Sequence, residues 1–257
     1  MLFLSNTSNK DTKPLVTILV TSGLVSLFDV LDKNSNPNNA SWIDLVNPAR
    51  LCYLKSTTFG GGGGNGKYIR TDGTGAGLNL VGSRININTT ASNIDRFNIS
   101  SNFSFVILAY PEGSGRIFST GSAGSGTTDN CIWQMWLAQS TFYWWNAAGG
   151  GTNNIQLGGT HYNINTWNHI TITYSSSGPT ARVYLNGVQT GVQTGATDLV
   201  DRTGQTDLQW ALGGGYWSSC ETLNQASRFQ QFSIYNRTLS ATEVLQNFNA
   251  VRSRVSL

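Results

Sequence analysis

Glutamate occurs only at Glu112, Glu221 and Glu243 in these 257 residues, and histidine only at His161 and His169. Paired carboxylates could serve general acid–base chemistry, and glycosidic-bond hydrolysis, for example, needs two carboxylates flanking the bond, about 5 Å apart in retaining enzymes. Glu243 follows Ser240 by three residues, the spacing of a capping box, so it reads as a helix cap. Glu221 stands beside Cys220 as an unaccompanied acid in a loop, where an acid is usually just solvated. His169 falls opposite Ile170 and Ile172 in a strand-like alternation and reads as a partly buried histidine bonded within the sheet. Neither a triad nor a histidine metal site finds its other members. Cys52, Cys131 and Cys220 are too few and too scattered for a zinc site or a disulfide framework, although one bridge remains open. Cys131 adjoins aromatic residues with no base near it, which argues against a nucleophile. The sequence therefore predicts no catalytic residue and no cofactor.

Aromatic residues offer a better surface for binding. Trp133, Trp136, Phe142, Tyr143, Trp144, Trp145, Tyr216 and Trp217 crowd two stretches of the chain. Consecutive strand residues point to opposite faces, so one of Trp144 and Trp145 enters a core while the other lies outside it. Trp133 and Trp136 are assigned to packing. The expected ligand-binding residues are Tyr143, Trp144, Trp145, Asn146, Tyr216 and Trp217, whose rings can stack on a sugar while amides bond its hydroxyls, or can anchor a protein interface.

The elements that must hold these residues are strands. From Trp167 to Tyr174, Ile170, Ile172 and Tyr174 face one way and Trp167, His169, Thr171 and Thr173 the other. A turn over Ser175–Thr180 leads to a second alternation, with Ala181, Val183 and Leu185 against Arg182, Tyr184 and Asn186. Asn186-Gly187 accepts positive φ at both centres of a type I′ turn, so the chain from Val188 returns antiparallel. Phe103 to Tyr110 is apolar on both faces from Phe105 on and reads as a central strand. Further strands are expected at Tyr68–Thr71, Leu78–Val81, Cys131–Leu137 and Phe142–Trp145. One helix is expected after Ser240, with Val244, Leu245, Phe248 and Val251 on a shared face. The glycine run Gly60–Gly64 lacks the Gly-Lys-Ser/Thr ending of a phosphate loop and reads as a flexible connection. Many strands with turn signals and one terminal helix predict a two-sheet sandwich.

Composition sets limits on partners. Only 11% of residues are charged, 29 are glycine, and 16 basic against 13 acidic residues leave a formal charge of +3. No dense Lys/Arg block is present, which disfavours nucleic acid held by phosphate neutralisation. No segment approaches the roughly 20 apolar residues that span a bilayer, so no membrane insertion is expected. The odd cysteine count and the absence of a cleavage pattern after Leu15–Val20 favour a cytoplasmic origin over a secretory one. Six Asn-x-Ser/Thr triplets are read as chance matches in an Asn-rich chain. Residues 1–22 are expected to form a tail or docking segment and residues 23–257 a single sandwich domain.

Four motifs then resemble the laminin-G-like, concanavalin A-like lectin superfamily in the expected order. Gly23-Leu24-Val25-Ser26-Leu27-Phe28-Asp29 with Trp42-Ile43-Asp44-Leu45 resembles its opening, and Tyr68 to Gly73 its Tyr-x-x-Phe-Asp-Gly element. Trp167-Asn168-His169-Ile170 through Tyr184-Leu185-Asn186-Gly187 resembles its Trp-x-His-Val and Tyr-x-Asn-Gly strand pair, and Tyr235 to Val244 its closing strand and helix. The resemblance implies an all-β, two-sheet antiparallel jelly-roll sandwich with one short C-terminal helix. Calcium-binding members use several rim acids, whereas the loop from Asp72 to Gly77 has one. Asp129 and the group Asp198, Asp201 and Asp207 read as solvated loop acids, so no metal is assigned. The Glu-x-Asp-x-x-Glu pattern of the laminarinase-like members is missing. Because such domains are common in tailed-phage structural proteins, the resemblance implies a non-enzymatic virion module, a capsid decoration or a tail or fibre component. It would be assembled in the host cytoplasm, displayed on the particle surface, and partnered by capsid or tail subunits and its own copies. The alternative is a carbohydrate-binding adhesin recognising host glycans, and a glycoside hydrolase is the third reading.

Overall fold

The computed structural model describes residues 19–35, 41–48, 51–53, 57–60, 68–72, 78–80, 102–115, 117–123, 131–146, 153–195, 208–212, 226–255 and 257. In chain order the strands are β1 (Leu24–Asp29), β2 (Ser41–Ile43), β3 (Leu51–Tyr53), β4 (Thr57–Gly60), β5 (Tyr68–Asp72), β6 (Leu78–Leu80), β7 (Phe103–Pro111) and β8 (Phe118–Ala123). They continue as β9 (Cys131–Ala138), β10 (Thr141–Asn146), β11 (Asn153–Gly158), β12 (Asn168–Ser175), β13 (Thr180–Leu185), β14 (Val188–Thr194), β15 (Leu208–Leu212) and β16 (Ala226–Tyr235). Helix α1 (Ala241–Val251) and a single 3-10 turn, Arg252–Arg254, close the described chain.

Among the described residues the strands form two antiparallel eight-stranded sheets. The first runs β14-β13-β12-β7-β16-β5-β4, with β1 also paired to β16, and the second runs β11-β10-β9-β8-β15-β6-β3-β2. β7 is central in the first sheet, as its two-sided apolar sequence predicts, and every residue from Phe103 to Ala109 is buried. The alternation of β12 holds as well, with Ile170 and Ile172 in the core between the sheets. Asn186 and Gly187 have φ of 52° and 82°, the left-handed geometry that returns the chain as β14. The strands at Tyr68 and Leu78, neighbours in sequence, join different sheets.

Between the sheets Phe105, Phe118 and Phe232 pack with ring centroids 5.4 to 6.4 Å apart. Each fully buried side chain of this size contributes roughly 1.5–3 kcal/mol relative to exposure. One edge is closed by contacts from β11 to β14: the Gln156 backbone N–H donates to Gln193 Oε1 at 2.8 Å. His161 follows β11 and sets Nδ1 3.2 Å from Thr190 Oγ1 and Nε2 2.9 Å from the Leu157 carbonyl.

The outer face of the first sheet is covered as well. Helix α1 starts at a complete capping box, in which Ser240 Oγ accepts from the Glu243 N–H and the Glu243 carboxylate accepts from the Ser240 N–H. Its buried residues are Val244, Asn247, Ala250 and Val251, whereas Leu245, expected on the same face, is exposed. Asn247 takes a core position because both its polar atoms are engaged: its Oδ1 accepts from the Val20 N–H and its Nδ2 donates to the Tyr235 hydroxyl. Leu19, Leu27, Leu108, Ala250 and Val251 fill the layer beneath, and Arg254 closes it with an ion pair to buried Asp29 at 3.0 Å.

Candidate functional site

The expected site on β10 is partly in view. Phe142 is buried on the core face, so alternation assigns the Tyr143 and Trp145 positions to the outer face and the Trp144 position to the core face. Tyr143 is half-buried opposite Gln156, and burial pushes its phenol above the usual range. Trp145 stands opposite Gln134 and Asn154, and Asn146 opposite Trp133 and Asn153. Tyr216 and Trp217 lie outside the described residues, as do Asp129, Asp198, Asp201, Asp207, Cys220 and Glu221.

A different aromatic group is brought together on the outer face of the first sheet. Ile69, Ala109 and Phe229 point into the core, so their chain neighbours Tyr68, Arg70, Tyr110 and Arg228 point outward. Register places Arg70 beside Arg228 and Arg228 beside Tyr110, in one row across β5, β16 and β7. Trp167, at the entry to β12, sets its ring edge-on to Tyr110 at 5.8 Å and to Tyr68 at 6.4 Å. The Arg228 guanidinium carbon lies 4.5 Å from the Tyr110 ring centre and 5.1 Å from that of Tyr68, within cation–π range. Glu112 follows β7 and receives Arg70 Nη2 at 2.6 Å on one oxygen and Arg228 Nε at 2.8 Å on the other. All three rings are half-buried, and about a third of each arginine side chain is exposed.

The electrostatics of this cluster oppose acid catalysis. Hydrogen bonds from Arg70, joined by those from Arg228, hold the Glu112 carboxyl below the usual range against the opposing effect of burial. Glu243 is pulled down to about 2, mainly by Arg237, which grips it with Nη2 at 2.6 Å. A glycosidic general acid needs a raised pKa so that it still carries its proton near neutrality. Three further carboxylates have structural partners: Asp29 meets Arg254, Asp44 Oδ1 accepts from the Leu27 and Val46 N–H groups, and Asp32 accepts from the Asn34 N–H. Among the described residues no three His, Cys, Asp or Glu side chains gather as metal ligands.

His169 departs from its expected role. It is fully buried, and its main-chain N–H donates to Asn186 Oδ1, yet neither ring nitrogen has a partner. Sequence reasoning had singled out Glu112, Trp167 and Tyr68 separately and had no reason to join them. The joining comes from strand register between distant segments, and the one local trace is the outward placement of Tyr110 two residues before Glu112.

Comparison with known proteins agrees with this fold. The description of the concanavalin A-like lectin/glucanases superfamily matches residues 81–245, more than half of the chain. No curated protein matches. Among solved structures, Trypanosoma rangeli sialidase in complex with sialic acid is similar with a TM-score of 0.59 at 16% identity, covering 92% of this chain and 34% of the sialidase. The binding domain of Paraclostridial Mosquitocidal Protein 1 follows at 0.55 and 19%, covering 89% of this chain and 52% of that one. The receptor-binding domain of botulinum neurotoxin type G gives 0.54 and 15%, with 89% and 51% coverage. The chain thus spans about a third of the sialidases it resembles, and at these identities the likeness shows the fold.

These matches correct the expectation of a virion structural module, whether capsid decoration or tail or fibre component. The family is one of lectins and glucanases, and solved structures that share its fold include sialidases and toxin binding domains. The expectation came only from where such domains are often met, and the neutral, Asn- and Gly-rich composition is that of turns joining many short antiparallel strands.

Proposed function

The chain belongs to the concanavalin A-like lectin/glucanases superfamily, and from that membership we propose that it is a non-catalytic carbohydrate-binding module of the lectin kind. The observation that carries this reading is the outer-face group of Trp167, Tyr110 and Tyr68 around Arg228. A pyranose offers an apolar face and a rim of hydroxyls. Half-buried rings supply the first contact, and guanidinium N–H groups already aligned by Glu112 supply the second. Holding the arginine in place before binding reduces the ordering cost of recognition. The non-catalytic half of the proposal is supported by Glu112 and Glu243, both held as anions when hydrolysis would need one as an acid.

The experiment is a glycan array followed by titration calorimetry of the best ligand. Tyr110→Ala and Trp167→Ala are expected to weaken binding by about tenfold or more each, equivalent to about 1.4 kcal/mol. Tyr143→Ala in the same assay reports whether the β10 face expected from the sequence contributes. An intact, folded protein that binds no saccharide, or that binds one equally well in both cluster variants, would refute the assignment. Release of reducing sugar from the bound glycan would refute its non-catalytic part.

A further inference from the structure

The guanidinium of Arg228 is only half used. Its Nε–H donates to Glu112 Oε1 at 2.8 Å, and its flat face rests near the rings of Tyr110 and Tyr68. Nη1 and Nη2 make no hydrogen bond within the described residues, and 34% of the side chain is exposed. The group therefore has one edge tethered and one edge, with two parallel N–H donors, unengaged. Such an edge matches the two oxygens of a carboxylate in bidentate geometry. Charge points the same way. Arg70 and Arg228 both converge on Glu112, and Arg228 reaches it through Nε alone, so the far edge of a cationic group is presented outward.

We propose that the Arg228 fork selects a carboxylate-bearing saccharide, pairing Nη1 and Nη2 with the sugar acid while the ring lies against Tyr110 and Trp167. This deepens the carbohydrate-binding reading and rests on it. Glu112 acts here as a positioning residue: by engaging Nε it fixes the plane of the fork and directs the opposite edge outward. A neutral sugar would use the same rings but leave the outer edge of Arg228 without an anionic partner, so the fork discriminates by charge and not by ring shape alone.

The test compares acidic oligosaccharides with the same chains made neutral. Suitable pairs are a galacturonate trimer and its methyl ester, a hyaluronan tetramer and its methyl ester, and sialyllactose and its methyl ester. At low salt the acid of at least one pair is expected to bind about tenfold more tightly than its neutral partner, with the ratio shrinking as salt is added. Arg228→Met keeps a long side chain over the tyrosines and should bring the ratio close to one. Arg228→Lys keeps the charge without the fork and should lose most of the preference. A ratio is insensitive to partial unfolding, since both members of a pair meet the same folded fraction. Equal or better binding of the neutral members would overturn the acid preference and leave the lectin reading standing. An undiminished preference in the lysine variant would overturn the bidentate fork. Failure of all six saccharides, together with an empty glycan array, would overturn both proposals.

Discussion

Replacing His169 with leucine should remove roughly 2 kcal/mol from the loss of stability that the protein suffers between about pH 7 and pH 5. The ring lies on the outer face of the first sheet in a row with Leu108 and Gln231, with the Phe248 ring of α1 5.8 Å away. Neither ring nitrogen has a hydrogen-bond partner, and burial lowers the pKa to about 3, outweighing the smaller upward pull of the residue's own main chain. The other charged groups in that row are Asp29, beside Gln231, and the Arg254 paired with it. An unfolded chain takes up the proton near pH 6.5. Below that point the unfolded state binds more protons than the native one, so stability falls as pH falls through the window from about 6.5 to about 3. Between about pH 7 and pH 5 the linkage amounts to roughly 2 kcal/mol from this one side chain.

Urea unfolding followed by tryptophan fluorescence at those two pH values measures it. The native protein should lose about 2 kcal/mol more than His169→Leu over the interval. At neutral pH the variant should be as stable or more so, because two buried polar atoms without partners are removed. Glu243 and Glu112 are both held below their ordinary values and stay ionised at the lower pH. Asp29 is shifted upward by burial, so its protonation favours the folded state as pH falls, but it does so equally in both proteins. His161 is lowered by burial too, and its share is likewise common to both. Equal losses in the two proteins would refute the reasoning, since the imidazole would then have to be reaching water or a hydrogen-bond partner.

Two further outcomes concern the covering layer of the first sheet. Gly187→Ala should cost more than Gly178→Ala, although both glycines have positive φ: a Cβ at Gly187 would sit 2.9 Å from Leu245 Cδ1, whereas one at Gly178 meets nothing within 4 Å. The φ change alone costs upward of about 1 kcal/mol, so the difference between the two melting shifts isolates the clash with α1. Tyr235→Phe should destabilise by about 1–2 kcal/mol in urea unfolding, because the hydroxyl donates to the Val20 carbonyl and accepts from Asn247, tying three segments together.

Those cases show what a sequence can and cannot state. The β12–β13–β14 meander was legible because period-two burial and an Asn-Gly turn are local, and the structure repeats both. The capping box was legible for the same reason. Hydrophobicity misplaced Leu245 and overlooked Asn247, because an amide belongs in a core only when partners far along the chain, here Val20 and Tyr235, satisfy it. His169 was misread in the converse way: its strand face was right, but a covering helix more than 70 positions later decides that no partner reaches the ring.

The candidate site follows from where that cover stops. Along the outer face of β7, Val106 and Leu108 are fully buried, the latter against Ala250 and Val251 of α1. Two residues on, Tyr110 is half-buried, and the same row holds Arg228 and Arg70. A sheet face that turns from covered to open within two residues has to present side chains that tolerate both environments. Tyrosine, tryptophan and arginine do so, with apolar bodies and polar tips. That suffices to explain their presence, but it does not explain why Arg228 is anchored through Nε alone by a carboxylate drawn from another strand's end. An arginine needed only to cover apolar surface gains nothing from a fixed plane. A fixed plane with its outer edge unengaged is the arrangement that separates a recognition group from a covering one.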